Sequence, residues 1–402
     1  MNCVKNFMEN TPTQTLRKFQ RRIHYMGKYG RKNEIKLDPL AFNLALMGES
    51  GCGKTTIIKE YCDKLAGPDS YLFLECGKED GADAINGIVW EPVWDWEKFD
   101  EVTSDIIENR YTDYKDLRVV VIDTYDELMS LAEQEVIRLH NRDNPDKRTK
   151  NFRSAYGGFN APYDKAIEIV LDRLWDLKRV GVSFIVIGHT KRTTYTDPIS
   201  NQTYSMLSTN LDKRYFEALK TKVHFLGVCY VDREIAQLKT GRKNIVNGKE
   251  EVLGKVQNES RVICFRDEGF SVDAKSRFAD ITSDRIPMNV DAMIKAITDA
   301  IKKEHDKGNT SYADDLKKQV AEAKAEEKVH QERINKFKET RQNEEDEPHR
   351  SDYLVAIQTG FSNASDELKA KAKSMLNESG YAKLSDPNVP ISTIKKIASL
   401  FA

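Results

Sequence analysis

Residues 48–55, with the sequence GESGCGKT, constrain the fold of this 402-residue chain more than any other segment. They match the pattern G-x-x-x-x-G-K-[ST], in which glycines let backbone N–H groups turn toward phosphate oxygens and the following helix adds its positive N-terminal end. An apolar run at 41–47 precedes the segment, and a helix-compatible run at 55–65 follows it. The sequence therefore predicts a strand, a phosphate-binding loop and a helix in direct succession.

The residue types of this loop predict a site for ATP and Mg²⁺. Lys54 is expected to reach the β- and γ-phosphates, and the hydroxyl of Thr55 is expected to bind Mg²⁺. The predicted ATP-contacting residues are Gly48, Glu49, Ser50, Gly51, Cys52, Gly53, Lys54, Thr55 and Thr56.

A second motif, RVVVID at 118–123, supplies a carboxylate to the same site. Four apolar residues followed by Asp123 place this carboxylate at the C-terminal end of a buried strand, where the phosphate loop is also expected. Asp123 is therefore predicted to join Thr55 in binding Mg²⁺. The alternative is that Asp123 only caps the helix that follows.

Two more catalytic candidates follow other predicted strands. Glu79 comes after the run at 71–76 and is expected to orient the attacking water, with Glu75 as its rival; either one can equally be an ordinary surface acid. His189 ends the run SFIVIGH and is expected to contact the γ-phosphate and relay its presence to the next segment. The alternative for His189 is a purely structural role.

Short apolar runs alternating with helical segments predict an α/β fold with a mostly parallel sheet that ends in antiparallel strands. We expect four parts: a basic N-terminal arm at 1–40, a nucleotide-binding core at 41–289, a charged helix and linker at 290–349, and a small helical module at 350–402. On this division, a chain that ends near Pro287 should still fold and bind ATP.

Charge and cysteine content narrow the class of protein. The net charge of −1 excludes a chain that is basic or acidic throughout, and the six scattered cysteines indicate neither a zinc site nor a disulfide framework. The chain has no apolar stretch long enough to span a membrane. We therefore expect a cytoplasmic protein without a membrane partner.

Four motifs in this order, GESGCGKTT, VVVIDTYDEL, FIVIGHT and AKSRFADI, resemble the RecA-like P-loop ATPases over about residues 40–290. They are most similar to the phage-encoded, AAA-family ATPases of single-strand annealing and recombination modules. The resemblance implies a RecA-like fold and two DNA-binding loops, at 141–160 and 191–210. Cations that follow a phosphate backbone and rings that stack on bases suit single-stranded DNA, although solvated loops remain an alternative. The predicted DNA-binding residues are Arg142, Lys147, Arg148, Lys150, Phe152, Arg153, Tyr156, Lys191, Arg192 and Tyr195.

The resemblance also implies self-association into a ring or filament, in which basic residues of one subunit contact ATP on the next. Lys275 and Arg277, with Arg266 as a second candidate, match that element. A salt bridge within one subunit is the alternative for them.

These features together predict an ATPase that binds single-stranded DNA and promotes annealing or strand exchange in homologous recombination. The alternative is a motor ATPase of DNA replication, such as a helicase or helicase loader. The C-terminal module at 350–402 is expected to contact other recombination or replication proteins. A phage protein of this type is expected in the cytoplasm of the host cell.

Overall fold

A computed structural model describes residues 34–78, 81–196, 201–243, 250–265, 275–278, 281, 285–308 and 310–401. Within these residues strands are interspersed with helices up to residue 220, strands alone follow between residues 225 and 287, and the chain is helical after that. The strands are β1 (Leu44–Gly48), β2 (Tyr71–Cys76), β3 (Trp90–Val93), β4 (Val119–Asp123), β5 (Ser183–Thr196), β6 (Thr203–Thr209), β7 (Phe225–Lys243), β8 (Glu250–Cys264), β9 (Lys275–Ser276) and β10 (Ile286–Pro287). The helices are α1 (Lys54–Leu65), α2 (Trp96–Glu108), α3 (Tyr125–Asp143), α4 (Ala161–Arg179), α5 (Lys213–Lys220), α6 (Val290–Asp306), α7 (Tyr312–Ala325), α8 (Glu327–Asp346), α9 (Arg350–Asn363), α10 (Asp366–Glu378) and α11 (Ile391–Ala398).

The central sheet has the order β10-β8-β7-β1-β5-β4-β2-β3. The six strands from β7 to β3 are parallel, whereas β8 and β10 are antiparallel additions at one end. This arrangement confirms the predicted mostly parallel sheet with antiparallel strands at its end. Because β5 lies between β1 and β4, the phosphate-loop strand and the Asp123 strand are separated by the strand of His189.

Two apolar layers cover the two faces of the sheet, which explains why β1 and β4 are buried at every position. One layer contains α2, α3, α4 and α5, and the other contains α1 and α6. The side chains of Leu37 and Leu40 also belong to the second layer. The end of the predicted N-terminal arm is thus part of the core, while residues 1–33 of that arm lie outside the described residues.

Helices α6, α7 and α8 contact the core, although the sequence had placed them beyond its boundary. Helix α6 buries an apolar face in the layer beside α1, and Ile334 of α8 is buried in the opposite layer. On α7, the side chain of Gln319 accepts a hydrogen bond from the N–H of Leu37 and donates one to the carbonyl of Ile35. The sequence predicted a charged helix and linker at 290–349, and a few apolar and amide side chains attach this segment to the core.

Helices α9, α10 and α11 surround an apolar cluster of their own, which includes Ile357, Leu376 and Ile394. The last part of the charged segment that was predicted at 290–349 is also helical, since α8 continues to Asp346. The carboxylate of Asp346 is buried and accepts hydrogen bonds from Lys395 of α11 at 2.7 and 2.9 Å. No helix in the described part of the chain is both long and apolar enough to cross a membrane.

Candidate nucleotide-binding site

The phosphate loop connects β1 to α1 at the C-terminal edge of the sheet. Gly51 and Gly53 have φ angles of +73° and +100°, which favour glycine because side chains with a Cβ rarely adopt them. The ammonium group of Lys54 is buried and donates hydrogen bonds to the carbonyls of Gly48 and Glu49, both at 3.1 Å. The loop thus holds its cation at its own centre, beside the N-terminal end of α1.

Thr55 and Asp123 lie together beside this loop. The hydroxyl of Thr55 donates a hydrogen bond of 2.6 Å to Oδ2 of Asp123, although the two residues are 68 positions apart. Hydroxyl and carboxylate oxygens are ligands that Mg²⁺ prefers. The pair fits the predicted metal site, because both oxygens converge next to the phosphate loop.

Asp126, at the start of α3, is a further functional candidate. Its Oδ2 accepts the backbone N–H of His189 at 2.9 Å, while its Oδ1 is buried and has no hydrogen-bond partner among the residues that the structure describes. Burial raises the pKa of Asp126, and the His189 N–H opposes that rise. The carboxylate therefore ties the start of α3 to β5 and still has one acceptor atom to offer. Its signal in the sequence was its place three residues after Asp123.

His189 lies level with the first residue of the phosphate loop, because it pairs with Gly48 in the parallel register of β1 and β5. Its Nδ1 is 4.0 Å from Oδ2 of Asp126. His189 is not at the end of its strand, however, since β5 continues to Thr196. The histidine is therefore beside the loop, as expected, but within a continuous strand.

The predicted water-orienting residue Glu79 lies outside the described residues. Its rival Glu75 is buried, and its Oε1 accepts the backbone N–H groups of Gly81 and Ala82 at 2.7 and 2.9 Å. These two hydrogen bonds hold the turn after β2. Glu75 is thus engaged in shaping the loop that contains Glu79.

The second predicted DNA loop, 191–210, is largely a β-hairpin. Residues 190–196 of β5 pair antiparallel with residues 203–209 of β6, and the hairpin projects from the sheet edge that carries the phosphate loop. The guanidinium of Arg192 contacts Glu49 of the loop, with Nε 2.7 Å from Oε1. Lys191 is exposed; the side chain of Tyr195 lies outside the described ones.

The ribbon formed by β7 and β8 projects from the same edge, beyond the pairing of Cys229 with Gly48. Leu207 of the hairpin packs with Val228 and Tyr230 of the ribbon. Arg261 of β8 lies beside the phosphate loop, since a methyl group built on Gly53 would be 3.6 Å from its Nη1. Nothing in the sequence marked Arg261, because its place depends on the pairing of distant strands.

The first predicted DNA loop, 141–160, contains two short 3-10 helices, Pro145–Lys147 and Phe152–Gly157. Its side chains divide into two groups. The cations are exposed. Phe152, in contrast, is buried, and its ring packs edge-on against the ring of Tyr163. The prediction that Phe152 stacks on bases is therefore wrong. Tyr156 is half-buried, and its hydroxyl donates a hydrogen bond of 2.7 Å to Asp143. The exposed cations are Arg142, which also pairs with Asp143, and Lys147, Arg148, Lys150 and Arg153.

The residues predicted to act across a subunit interface lie away from this chain's own phosphate loop. Strand β9 pairs Lys275 and Ser276 with the first two residues of β7, at the opposite edge of the sheet from Cys229. The exposed side chain of Arg277 donates to the carbonyl of Thr221. The third candidate, Arg266, and the side chain of Lys275 lie outside the described structure.

The fold and this loop define the chain as a P-loop ATPase domain. A family model described as an AAA domain (AAA_24) matches residues 41–278, and the chain belongs to this family. No curated protein is similar to the chain at a significant level. Among solved structures, it is similar to a KaiC-like protein from the hyperthermophilic archaeon Pyrococcus horikoshii OT3, with 15% identity and a TM-score of 0.32 over 61% of this chain and 85% of that chain.

Proposed function

We propose that this protein binds and hydrolyses ATP with Mg²⁺, binds single-stranded DNA, and promotes annealing or strand exchange as a ring or filament. The ion pair between Arg192 and Glu49 carries the proposal, because it joins the phosphate loop directly to the projecting hairpin. The phage origin and the role in recombination come from the sequence resemblance and belong to the same proposal.

The nucleotide half rests on the residues around the phosphate loop. Thr55 and Asp123 would hold Mg²⁺, which neutralises phosphate charge when bound. Lys54 would exchange its two backbone carbonyl partners for phosphate oxygens, which are stronger acceptors for an ammonium group. His189 and Asp126 border the loop on the β5 side. They are suited to sense whether the nucleotide is present.

The DNA half rests on the exposed segment between α3 and α4. Arg148, Lys150 and Arg153 are exposed there, and the ring of Phe159 is 93% exposed. Cations with an exposed ring suit a flexible strand, because phosphates pair with the cations and bases stack on the ring. Phe159 takes the stacking role that the sequence had assigned to Phe152.

The basic segment is attached to the helix that follows the hairpin. Arg214 of α5 donates a hydrogen bond of 3.0 Å to Asn160 and lies 3.7 Å from the ring centroid of Tyr163. DNA bound along the segment would therefore lie next to an element that continues directly from β6. Both predicted DNA-binding regions thus connect to the phosphate site through β5 and β6.

The expected coupling between ATP binding and DNA binding follows from the weakness of the Arg192–Glu49 ion pair. Arg192 is 56% exposed and Glu49 is 25% exposed, and such a pair contributes at most about 1 kcal/mol. The phosphate groups of ATP compete with Glu49 for the guanidinium, so nucleotide binding can release or redirect the hairpin. ATP and DNA should then each change the other's affinity by the same factor.

The test is the affinity for single-stranded DNA at several salt concentrations, with and without a non-hydrolysable ATP analogue. In the wild type, the analogue should tighten DNA binding. Replacing Arg148, Lys150 and Arg153 by Ala should weaken binding to all sequences and reduce the salt slope by about 2, at about 0.7 per lost phosphate contact. Arg192→Ala should mainly reduce the effect of the analogue.

The matched control removes the same charge elsewhere, by replacing the exposed residues Lys336, Lys338 and Lys371 with Ala. It should keep both the affinity and the salt slope. If the control loses as much affinity as the triple variant, binding depends on net charge and not on the segment. If ATP turnover drives movement along DNA without annealing, the protein is a motor of the helicase type.

A further inference from the structure

Two cysteine side chains meet over the first glycine of the phosphate loop. Cys52 belongs to the loop, and Cys229 of β7 pairs with Gly48 in the parallel register of β1 and β7. A methyl group built on Gly48 would lie 2.9 Å from Cβ of Cys229 and 2.9 Å from Sγ of Cys52. Glycine at position 48 therefore leaves the space in which the two cysteines come together.

The surroundings make the two sulfurs chemically different. A hydrogen bond from the thiol of Cys229 lowers the pKa of Cys52 to about 7, with help from the charges of Lys54 and Arg261 and against the effect of burial. Burial raises the pKa of Cys229 well above its usual value. Cys52 is thus suited to attack the peroxide first, because a thiol that ionises near neutral pH reacts faster than one that stays protonated. Cys229 is suited to be the resolving thiol.

We propose that Cys52 and Cys229 form an oxidation site within the phosphate loop, at which a peroxide converts the two thiols into a disulfide. In the first step the Cys52 sulfur attacks one peroxide oxygen, the O–O bond breaks, and Cys52 becomes a sulfenic acid while hydroxide leaves. In the second step the Cys229 proton transfers to the hydroxyl of the sulfenic acid while the Cys229 sulfur attacks the Cys52 sulfur, and the S–O bond breaks to release water. Two thiols and one hydrogen peroxide thus give one disulfide and two waters.

Two other cysteines, one in the same layer and one on a neighbouring strand, lie in different surroundings. Cys62 lies in the middle of α1, where burial raises its pKa, and Cys264 lies on β8 in the small cluster with Leu207. Both sulfurs of the proposed site are buried, at 2% exposure for Cys52 and 0% for Cys229. Only a small oxidant such as hydrogen peroxide suits such a site.

Oxidation should weaken nucleotide binding, an expectation that rests on the proposed ATP site. Hydrogen-bonded sulfurs are farther apart than the about 2.05 Å of a disulfide, so one backbone must move. Cys229 is held in the sheet between β1 and β8, whereas Cys52 is in a loop. The loop therefore moves, and the loss of one hydrogen bond to a charged phosphate group lowers the affinity by about tenfold or more.

The experiment treats the full-length protein with hydrogen peroxide and maps its peptides without reduction. We expect a mass loss of about 2 Da, a linked pair of peptides containing Cys52 and Cys229, and an affinity for a fluorescent ATP analogue at least about tenfold lower. Dithiothreitol should reverse all three changes. Cys62→Ala is the matched control and should behave like the wild type, whereas Cys229→Ser should give no link and accumulate sulfenic acid at Cys52.

The wild-type measurements decide the question even if Cys229→Ser does not fold. No linked peptide in peroxide-treated wild type, with Cys52 either unmodified or oxidised alone, overturns the proposal. A complete link with unchanged affinity also overturns it, because the loop would then be insensitive to the disulfide. If the reduced protein binds no nucleotide at all, the proposed ATP site fails, while the mass measurement still reports on the cysteine pair.

Discussion

A chain that ends after Pro287 should fail to fold, contrary to the expectation from the sequence that residues 41–289 form a complete core. The reason is α6, which packs beside α1 in the apolar layer on one face of the sheet. The side chains that it buries in this layer are Val290, Met293, Ile297, Ala300 and Ile301.

The loss of stability on removal of α6 can be estimated from these buried side chains. Burying a Val, Ile or Met side chain contributes about 1.5–3 kcal/mol, so the four larger residues of α6 together contribute roughly 6–12 kcal/mol. The free energy of unfolding of a whole domain is about 5–15 kcal/mol. Removal of α6 therefore costs about as much free energy as the unfolding of the whole domain requires. Exposure of the surface of α1 that α6 covers adds to this cost.

Thermal unfolding and proteolysis of two truncated chains can test this estimate. The chain that ends at residue 287 should be insoluble or quickly degraded. The chain that ends at residue 349 keeps α6, α7 and α8, so it should unfold cooperatively and bind ATP. Within the full chain, Ile297→Ala should lower the free energy of unfolding by about 2–5 kcal/mol, while Lys302→Ala on the exposed face should change it by less than about 0.5 kcal/mol. A soluble chain ending at 287 with the unfolding temperature of the longer one would refute the reasoning.

Three further predictions concern single side chains. Lys54→Ala should abolish ATP binding or turnover, since it removes the cation at the centre of the loop; parental turnover in a steady-state assay would contradict the site. Asp123→Asn should weaken Mg²⁺-dependent turnover and keep some nucleotide affinity, which a magnesium titration can measure. His305 of α6 forms a hydrogen bond with Asp315 of α7, and this hydrogen bond raises the pKa of His305 above 6.5. The contact therefore stabilises the fold fully below pH 6.5. This stabilisation is lost as the pH rises through the higher folded-state pKa. The free energy of unfolding, measured from pH 6 to 8, should show this loss, and the His305→Gln variant should lack this pH dependence.

The parts of the site that could be predicted depend on local patterns. The phosphate loop needs glycines at set positions, and Asp123 follows an apolar run that can only be a buried strand. Both signals are contained in fewer than about ten residues. Their contact was also predictable, because parallel strands bring their C-terminal ends to one edge of the sheet.

The remaining features depend on residues that are far apart in the chain. Arg192 and Glu49 are 143 positions apart, and Gln319 and Leu37 are 282 apart. Phe152 looked like a stacking ring because its neighbours are basic, but the ring of Tyr163 and the layer behind it bury it. Sequence patterns give the period of a helix or strand, and they do not give the partner that covers one side chain.

The hairpin had a signal in the sequence that the loop prediction did not use. Threonine and tyrosine are frequent at 193–196 and 203–209, and β-branched and aromatic residues favour strands. The family resemblance directed attention to a loop at these positions instead. The difference matters for mechanism, because a paired hairpin transmits a displacement at its base along its whole length, whereas a solvated loop does not.

The first glycine of the phosphate loop lies between the two strands that continue past the sheet edge, since Gly48 pairs with His189 on one side and Cys229 on the other. A loop that rearranges around phosphates therefore acts on both extensions at their bases. Because Leu207 joins the hairpin to the ribbon, the two should respond together.

We expect an ATP analogue to change amide hydrogen exchange at 190–209 and 228–232, and to leave the exchange of the module at 350–401 unchanged. Equal changes in all three regions would indicate global stabilisation by the ligand, and exchange confined to the loop itself would show that nucleotide and hairpin are not coupled.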